Sequence, residues 1–348
     1  MINPHILARF SPSAQKFLTE TIMGQCLYNK LLNVKGNHIG LLGTPGSGKT
    51  QKSYWLMSYL KNLEVPVWID SCKDDEIIPL FLMGKPINIV IPSGMKIKIN
   101  GIEGVQITVR DAFLPDQFWD MIDPEAINIF SVRAYFYGEK ERSRFYASLF
   151  KALSRKAYDK VFRKRGIKRM AVFVSEGQQI LPSTAYTRDQ ERIDAAQEVT
   201  SNILEVRAFG IRIITDTQDN INIYPSARRN LPTRILCHGA NIKSDESKLL
   251  NKLARYAENY APHQGLIVFS DGDYVPKTCP WNFPFFPKPE SASVDYIGRF
   301  DVKEEKADDD SELMPDLGKY AAQAIMPALA DGPEIPNWTE IERRGSDE

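Results

Sequence analysis

The stretch "HIGLLGTPGSGKT" (residues 38–50) joins a short apolar run to a glycine-rich loop. The apolar run ends in glycine and is typical of a buried strand. The loop fits the pattern G-x-x-x-x-G-K-[ST], and residues 49–61 after it have the pattern of a helix. Glycines let backbone N–H groups converge on phosphate oxygens, and the helix N-terminus adds the positive end of its dipole. The stretch therefore predicts a phosphate-binding loop between a strand and a helix.

The side chains of this loop specify the expected ligands, ATP and Mg²⁺. The Lys49 ammonium can reach the β- and γ-phosphates, and the Thr50 hydroxyl can ligate the metal. The residues predicted to bind the nucleotide are Gly43, Thr44, Pro45, Gly46, Ser47, Gly48, Lys49 and Thr50.

Strand and helix patterns alternate through most of the chain. Alternation of this kind indicates an α/β fold with a mostly parallel sheet flanked by helices. Two further segments, 96–109 and 265–276, have the pattern of hairpins. Helices are predicted at 11–33, 49–61, 139–161, 188–208 and 244–258, and strands at 38–43, 65–70, 87–92, 127–132, 170–174, 210–215 and 233–238.

The composition is that of a soluble globular protein, with 348 residues of which 43% are hydrophobic and 25% are charged. No apolar run approaches the length of a membrane span, so an integral membrane segment is not expected. The four cysteines are far apart in the sequence and form no C-x-x-C pair. Zinc binding and a disulfide framework are therefore not expected, and free thiols predict a cytoplasmic protein.

The net charge of zero conceals a basic body and an acidic tail. Residues 301–348 contain 14 Asp and Glu and five Lys and Arg, which leaves 30 acidic and 39 basic residues in the remainder. We expect residues 287–348 to be a disordered acidic tail that orders on a protein partner. Within the body, residues 151–169 carry nine Lys and Arg. This segment is either a solvated helix face or a surface that contacts phosphates.

A second candidate for the site is "RMAVFVSEGQQILP" (169–182), in which an apolar strand leads into Ser175 and Glu176. We expect Glu176 to polarise the attacking water. In most P-loop ATPases an aspartate that helps to hold Mg²⁺ occupies the position of Ser175. A serine hydroxyl can still accept a hydrogen bond from a metal-bound water. Replacing Ser175 by Asp is thus expected to keep or raise activity, unless another acidic residue already fills that space.

Two further strand ends supply polar groups. Gln218 follows the strand at 210–215, and we expect it to sense the γ-phosphate and orient the attacking water. Asp70 ends the strand at 65–70 and is expected to contribute charge to the metal site beside Thr50 and Ser175.

Four segments together resemble the FtsK/HerA superfamily of DNA-translocating ATPases. "SEGQQILP" (175–182) resembles the D-E-A-h-x-h-h-P segment of that group, in which h is a hydrophobic residue. "VRAFGIRIITDTQ" (206–218) resembles its R-x-x-G-h-x-h-h-x-x-T-Q segment, and "NLPTRI" (230–235) is similar to N-h-P-T-R-I. "WIDSCKDDE" (68–76) resembles the acidic segment after the second strand. The order and approximate spacing of these motifs agree from residue 38 to about 285.

The resemblance implies a RecA-like P-loop NTPase core, a hexameric ring, ATP hydrolysis between subunits and double-stranded DNA in a basic pore. It assigns Glu176 as the catalytic carboxylate and Gln218 as the sensor. Arg207 matches the arginine that acts on the site of a neighbouring subunit, with Arg234 and Arg228 as alternatives. The implied function is an ATP-dependent DNA translocase or DNA-packaging ATPase.

The chain also departs from this family. Ser175 replaces the usual Asp, residues 1–37 form only a helical segment without room for a β-barrel, and there is no membrane segment. Residues 38–286 are the expected ATPase domain. This reduced form looks more like ATPases of archaeal or bacterial viruses and plasmids. Two alternatives remain open: an assembly ATPase similar to the Zot type of filamentous phages, and a weakly hydrolysing nucleotide-binding scaffold.

Overall fold

The strands of the computed structural model, which describes residues 3–70, 75–132, 138–242, 247–277 and 279–297, follow the predicted alternation. They are β1 (Ile39–Leu42), β2 (Val65–Asp70), β3 (Ile87–Pro92), β4 (Lys96–Asn100), β5 (Ile107–Ala112), β6 (Ile127–Ser131), β7 (Met170–Val174), β8 (Ile211–Thr217), β9 (Thr233–Cys237), β10 (Gln264–Val268), β11 (Tyr274–Val275), β12 (Trp281–Asn282) and β13 (Ser293–Ile297).

Helices lie within the predicted segments 11–33, 49–61, 139–161, 188–208 and 244–258, and shorter helices that the sequence did not predict precede and separate the strands. They are α1 (Pro4–Leu7), α2 (Pro12–Glu20), α3 (Ile22–Leu27), a π-helical turn (Tyr28–Leu32), α4 (Lys49–Leu60), α5 (Ile78–Phe81), α6 (Pro115–Asp120), α7 (Glu139–Tyr158), α8 (Val161–Lys164), α9 (Gly177–Ile180), α10 (Gln190–Arg207), a 3₁₀ turn (Asn220–Asn222), α11 (Pro225–Arg229) and α12 (Lys248–Ala257).

Within the described residues, eleven strands form one sheet in the order β11-β10-β9-β1-β8-β7-β2-β6-β3-β5, with β12 paired to β10. The eight strands from β9 to β5 in this order are mutually parallel. The strands β10, β11 and β12 add antiparallel pairs at one end. The predicted α/β class with a mostly parallel sheet is therefore confirmed.

Alternate residues of each central strand enter two different cores. Trp68 and Phe173 face α4 and the N-terminal helices, whereas Val67 and Val172 face the side covered by α7 and α10. Because side chains alternate across a strand, this pattern produces three layers, with helices on both faces of the sheet.

The N-terminal segment is helical, but it differs from its prediction in continuity. The single helix expected at 11–33 is broken at Thr21, whose side chain accepts a hydrogen bond from Gly24 N at 2.9 Å and caps α3. The buried residues Leu18, Leu27 and Leu31 of this segment share one core with the sheet.

The hairpin predicted at 96–109 is wrong. The strand β4 pairs antiparallel with β13, whereas β5 joins the main sheet as the parallel neighbour of β3. The backbone of Ser291 occupies the space beside Gly101, where a Cβ would lie 2.2 Å from the Ser291 carbonyl oxygen. The alternation of apolar and polar residues predicted both strands correctly. The chain around Ser291, just before β13, lies against Gly101 at the end of β4, and β13 takes the place beside β4 in which β5 was expected to pair.

Pairing of β13 also means that the folded body extends beyond residue 286, so the predicted start of the acidic tail is wrong. Residues 298–348, on which the rest of that tail prediction falls, lie outside the described residues. The hairpin predicted at 265–276 is confirmed by the antiparallel pair of β10 and β11. In the parts of the chain that are described, no helix is both long and apolar enough to cross a membrane.

Candidate nucleotide-binding site

The glycine-rich loop leaves β1 at its carboxyl end and enters α4 at Lys49, as predicted. Gly46 and Gly48 have φ angles of 77° and 75°, in the left-handed region that residues with a Cβ rarely adopt. A Cβ on Gly48 would also lie 2.8 Å from the carbonyl oxygen of Pro262. Glycine is therefore required at Gly48 by both conformation and space, and at Gly46 by conformation.

Neighbouring strands hold the start of the loop. Gly43 N donates to the Thr217 carbonyl oxygen at the end of β8 over 3.3 Å, and Thr44 N donates to the His238 carbonyl oxygen after β9 over 3.1 Å. A Cβ on Gly43 would lie 2.7 Å from the Cβ of Cys237. The loop is thus fixed between the carboxyl ends of two parallel strands, where ligands of open α/β sheets bind.

The Lys49 side chain is folded over the loop. Its Nζ donates to the Gly43 carbonyl oxygen at 2.8 Å and to the Thr44 carbonyl oxygen at 3.0 Å. A second lysine, Lys52, lies behind the loop with its side chain fully buried and donates to the Ser47 carbonyl oxygen at 2.8 Å. Burial lowers the pKa of Lys52. Both lysines therefore stabilise the loop through its carbonyl groups.

Ser175 and Asp216 lie side by side at the carboxyl ends of adjacent strands. The register of β7 and β8 pairs Val174 with Thr215, which makes the two following residues neighbours. Together with Thr50 of α4, Ser175 and Asp216 line a small pocket. Asp216 was not among the predicted site residues. It lies within the strand, two residues before Gln218, which the sequence motif takes as the polar residue at the strand end.

A second carboxylate that the sequence did not single out is Glu76. The Ser175 Oγ donates to Glu76 Oε1 at 2.7 Å, and the Tyr54 hydroxyl donates to the Glu76 carbonyl oxygen at 2.5 Å. Ser175 is 7% exposed and Glu76 is 6% exposed. The serine that replaces the usual aspartate is therefore engaged with a buried glutamate from the segment after β2.

Glu176 has a backbone conformation that is rare for its residue type, with φ 54° and ψ 60°. Its N–H donates to Asp216 Oδ1 at 2.6 Å. The following Gly177 packs so tightly that a Cβ would lie 2.4 Å from Thr215 Oγ1. Left-handed conformations at residues other than glycine cost about 1–3 kcal/mol and are concentrated at functional sites. This strain at the end of β7 supports the choice of Glu176 as a site residue.

Of the other two predicted strand ends, one lies at the site and one does not. Gln218 is exposed directly after β8, at the edge of the sheet that carries the loop. Asp70 instead accepts hydrogen bonds from the Tyr296 hydroxyl at 2.8 Å and from Ser131 Oγ at 3.5 Å. It is absent from the described residues that line the pocket beside Thr50. Asp70 is thus held by β6 and β13, and its assignment to the metal site is not supported.

The three candidate arginines have different environments. Arg207 is exposed at the end of α10, where the chain enters β8, and therefore lies at the edge of the sheet opposite to the loop. Arg234 is 3% exposed and donates to the Arg228 carbonyl oxygen. Arg228 is buried as well and donates to the Asn220 carbonyl oxygen at 3.5 Å. Because their guanidinium groups are enclosed in their own chain, Arg234 and Arg228 are not supported as residues that reach a neighbouring subunit.

The basic segment 151–169 contains two groups of cations, one with partners in the same chain and one exposed. Five of its cations contact groups of the same chain, and one of these, Arg165, donates to the carbonyl oxygens of Trp119 and Ile122. The other four are exposed and lie before the amino end of β7, at the same edge of the sheet as Arg207. We call them the basic edge: Lys160, Arg163, Lys164 and Lys168.

The oxygen donors beside the loop fit Mg²⁺. Thr50 offers a hydroxyl and Asp216 a carboxylate in one pocket. Mg²⁺ usually keeps several waters and is held by one or two protein groups together with phosphate oxygens. No group of three or more His, Cys, Asp or Glu suited to a metal occurs among the residues that the structure describes. Thr50 and Asp216 are therefore suited to hold Mg²⁺ together with phosphate oxygens.

No family model and no curated protein matches the chain. Solved structures similar to it include the genome packaging NTPase B204 from Sulfolobus turreted icosahedral virus 2, with 13% identity, a TM-score of 0.43, and coverage of 68% of this chain and 95% of that one. The pCW3 conjugation coupling protein TcpA is 14% identical, with a TM-score of 0.40 and coverage of 72% and 61%. Thermomonospora curvata EccC (ATPases 2 and 3) is 15% identical, with a TM-score of 0.40 and coverage of 73% and 39%.

Proposed function

We propose that this chain is an ATP hydrolase that works as a ring-shaped homo-oligomer, a hexamer, and uses the energy of hydrolysis to translocate or package double-stranded DNA. The observation that carries the proposal is the position of the loop at residues 43–50, next to Glu176 and Asp216 at the carboxyl edge of one parallel sheet. This arrangement supports the proposal, because the loop is the proposed phosphate site and Glu176 is the group proposed to polarise the attacking water.

In this proposal the loop N–H groups and Lys49 bind the phosphates. Thr50 and Asp216 would hold Mg²⁺, which neutralises charge on the phosphate oxygens when it is bound. Glu176 polarises the attacking water, and the exposed Gln218 orients it. Positioning and charge stabilisation of this kind account for most of what phosphoryl transfer asks of a protein.

The basic edge is the proposed contact for DNA. Its four exposed cations lie together, because α8 and the turn after it run directly into β7. Contacts from lysine and arginine to phosphates carry no base information, so binding is expected to be independent of sequence. The basic edge lies at the opposite edge of the sheet from the nucleotide loop. DNA and ATP would therefore bind to separate surfaces of the chain.

The proposed ring follows from Arg207. Its position at the far edge of the sheet prevents it from reaching the loop of its own chain. If it stabilises charge on the transferred phosphate, it does so in a neighbouring subunit. Each site would then be complete only between two subunits.

The decisive experiment measures ATP hydrolysis with and without double-stranded DNA, and DNA binding at several salt concentrations. Wild type is expected to show DNA-stimulated hydrolysis, and Lys49→Ala is expected to lose nucleotide binding or turnover. Replacing Arg163, Lys164 and Lys168 together by Gln should flatten the salt dependence of DNA binding, by up to roughly 0.9 log units for each phosphate that is no longer neutralised.

A matched control removes the same charge from cations that already pair with carboxylates. Lys151, Arg155 and Lys156 of α7 contact Glu198, Asp116 and Asp120. Their replacement by Gln should leave the salt dependence close to that of wild type. An absence of DNA stimulation, or equal slopes for both triple variants, would count against the proposed DNA surface.

A further inference from the structure

The aspartate that is missing from position 175 has a counterpart on the next strand. The β7–β8 register places Asp216 beside Ser175, at the same level of the sheet. Both residues line the pocket with Thr50, as do Phe173 and Ile214, two residues before each of them. Since residues two apart in a strand share a face, Ser175 and Asp216 point to the face covered by α4.

We propose that Asp216 on β8 supplies the carboxylate that orders the metal-bound water, and that this group has moved one strand across the sheet from position 175. The inference rests on the proposed hydrolysis of ATP and concerns the same site. Asp216 is 7% exposed, so its carboxylate acts in a largely dry environment, where it attracts a cation more strongly than at the surface.

Glu76 explains why the carboxylate is not at position 175. The hydrogen bond of 2.7 Å from Ser175 Oγ to Glu76 Oε1 occupies the space that a second carboxylate would need. A hydroxyl can donate to Glu76, whereas an ionised aspartate could only repel it. Ser175 donates its hydroxyl hydrogen to Glu76. Of Ser175 and Asp216, which both line the pocket with Thr50, only Asp216 carries a carboxylate.

Asp216 also positions the proposed catalytic carboxylate. Its Oδ1 accepts the hydrogen bond from Glu176 N that holds the left-handed turn at the end of β7. One side chain would thereby connect the metal water and the attacking water. Because Asp216 has both roles, a test must remove its charge and keep its hydrogen bond to Glu176 N.

Asp216→Asn meets that requirement, because its amide oxygen can still accept from Glu176 N while the charge is removed. The measurement is the affinity of a fluorescent ATP analogue as a function of Mg²⁺ concentration, together with binding of Mn²⁺ to the nucleotide complex by electron paramagnetic resonance. We expect Asp216→Asn to weaken metal binding by about 10–100-fold, as is usual for residues around a metal ligand. Nucleotide affinity without metal should not change.

The matched control is Asp219→Asn, which lies just beyond β8, removes the same charge and can keep the turn capped at Ile221 N. It should retain the wild-type Mg²⁺ dependence. A relocation variant that combines Ser175→Asp, Glu76→Gln and Asp216→Asn should recover metal affinity by returning the carboxylate to β7.

Two results for Asp216→Asn would overturn the inference while leaving the proposed function intact, provided that the wild-type chain binds ATP. One is an unchanged metal dependence in Asp216→Asn. The other is an equal loss of metal-free nucleotide affinity, which would make Asp216 a structural residue only. If the wild-type chain binds no ATP at any Mg²⁺ concentration, the proposed function itself fails, and that outcome is distinguishable from the other two.

Discussion

Replacing Ser175 by Asp adds a carboxylate where the usual ATPase sequence has one. The structure nevertheless predicts that this substitution destabilises the folded protein. From the sequence alone the substitution was expected to keep or raise activity. The hydroxyl of Ser175 donates to Glu76 Oε1 over 2.7 Å, and both residues are more than nine-tenths buried. Glu76 is thus an acidic residue that already fills this space, and under that condition the substitution is not expected to keep or raise activity.

The size of the effect follows from the distance between the two charges. Two carboxylates in hydrogen-bond contact have their charge centres about 4 Å apart, and at an effective dielectric constant of about 20 they repel by about 4 kcal/mol. The repulsion raises the pKa of one carboxyl, because protonation restores a donor between the two groups. A folded-state pKa above the unfolded value means that the penalty is absent at low pH and grows as the pH rises through the range of carboxyl ionisation.

The assay is urea denaturation of wild type and Ser175→Asp at pH 5 and pH 8. The variant should lose more stability at the higher pH, by up to about 4 kcal/mol. Ser175→Asn, which is nearly isosteric with Asp but uncharged and can donate to Glu76, is the control for shape. The double variant with Glu76→Gln should recover most of the loss, since a cycle of this kind isolates the interaction of the pair. Equal stability of the Asp and Asn variants at pH 8 would refute the reasoning.

Three other perturbations test separate parts of the molecule. Glu176→Gln should bind ATP and hydrolyse it far more slowly; turnover at the wild-type rate would remove Glu176 from the mechanism. Subunits with Arg207→Ala, mixed with Lys49→Ala subunits in demonstrated hetero-oligomers, should recover some turnover, and no recovery at any ratio would contradict the role in a neighbouring subunit. Burial lowers the pKa of His38 from 6.5 to about 4. Neutral His38 therefore contributes fully to the free energy of unfolding above pH 6.5, and this contribution is lost as the pH falls towards 4. Wild type should therefore lose up to about 3 kcal/mol more than His38→Gln over that range in denaturation titrations, because each pKa unit corresponds to about 1.4 kcal/mol.

The sequence by itself determined the parts of this protein whose information is local. The phosphate loop is specified by eight consecutive residues, and the left-handed conformations of Gly46 and Gly48 follow from residue type. Apolar runs and helical periods predicted the parallel α/β sheet, because the spacing of buried residues repeats within each element. Glu176 stays a prediction of the same local kind, since it is the polar residue that closely follows a buried strand.

Tertiary structure alone decided which polar groups meet. Ser175 and Glu76 are 99 positions apart, and Glu176 and Asp216 are 40 apart, so no local pattern connects them. The strands β4 and β5 alternate as a hairpin should, yet each pairs elsewhere because pairing depends on what else competes for the strand edge. Burial of Arg234 is likewise a property of the packed chain. A sequence shows which residues carry charge, whereas contact, burial and strand order depend on the packing of segments that are distant along the chain.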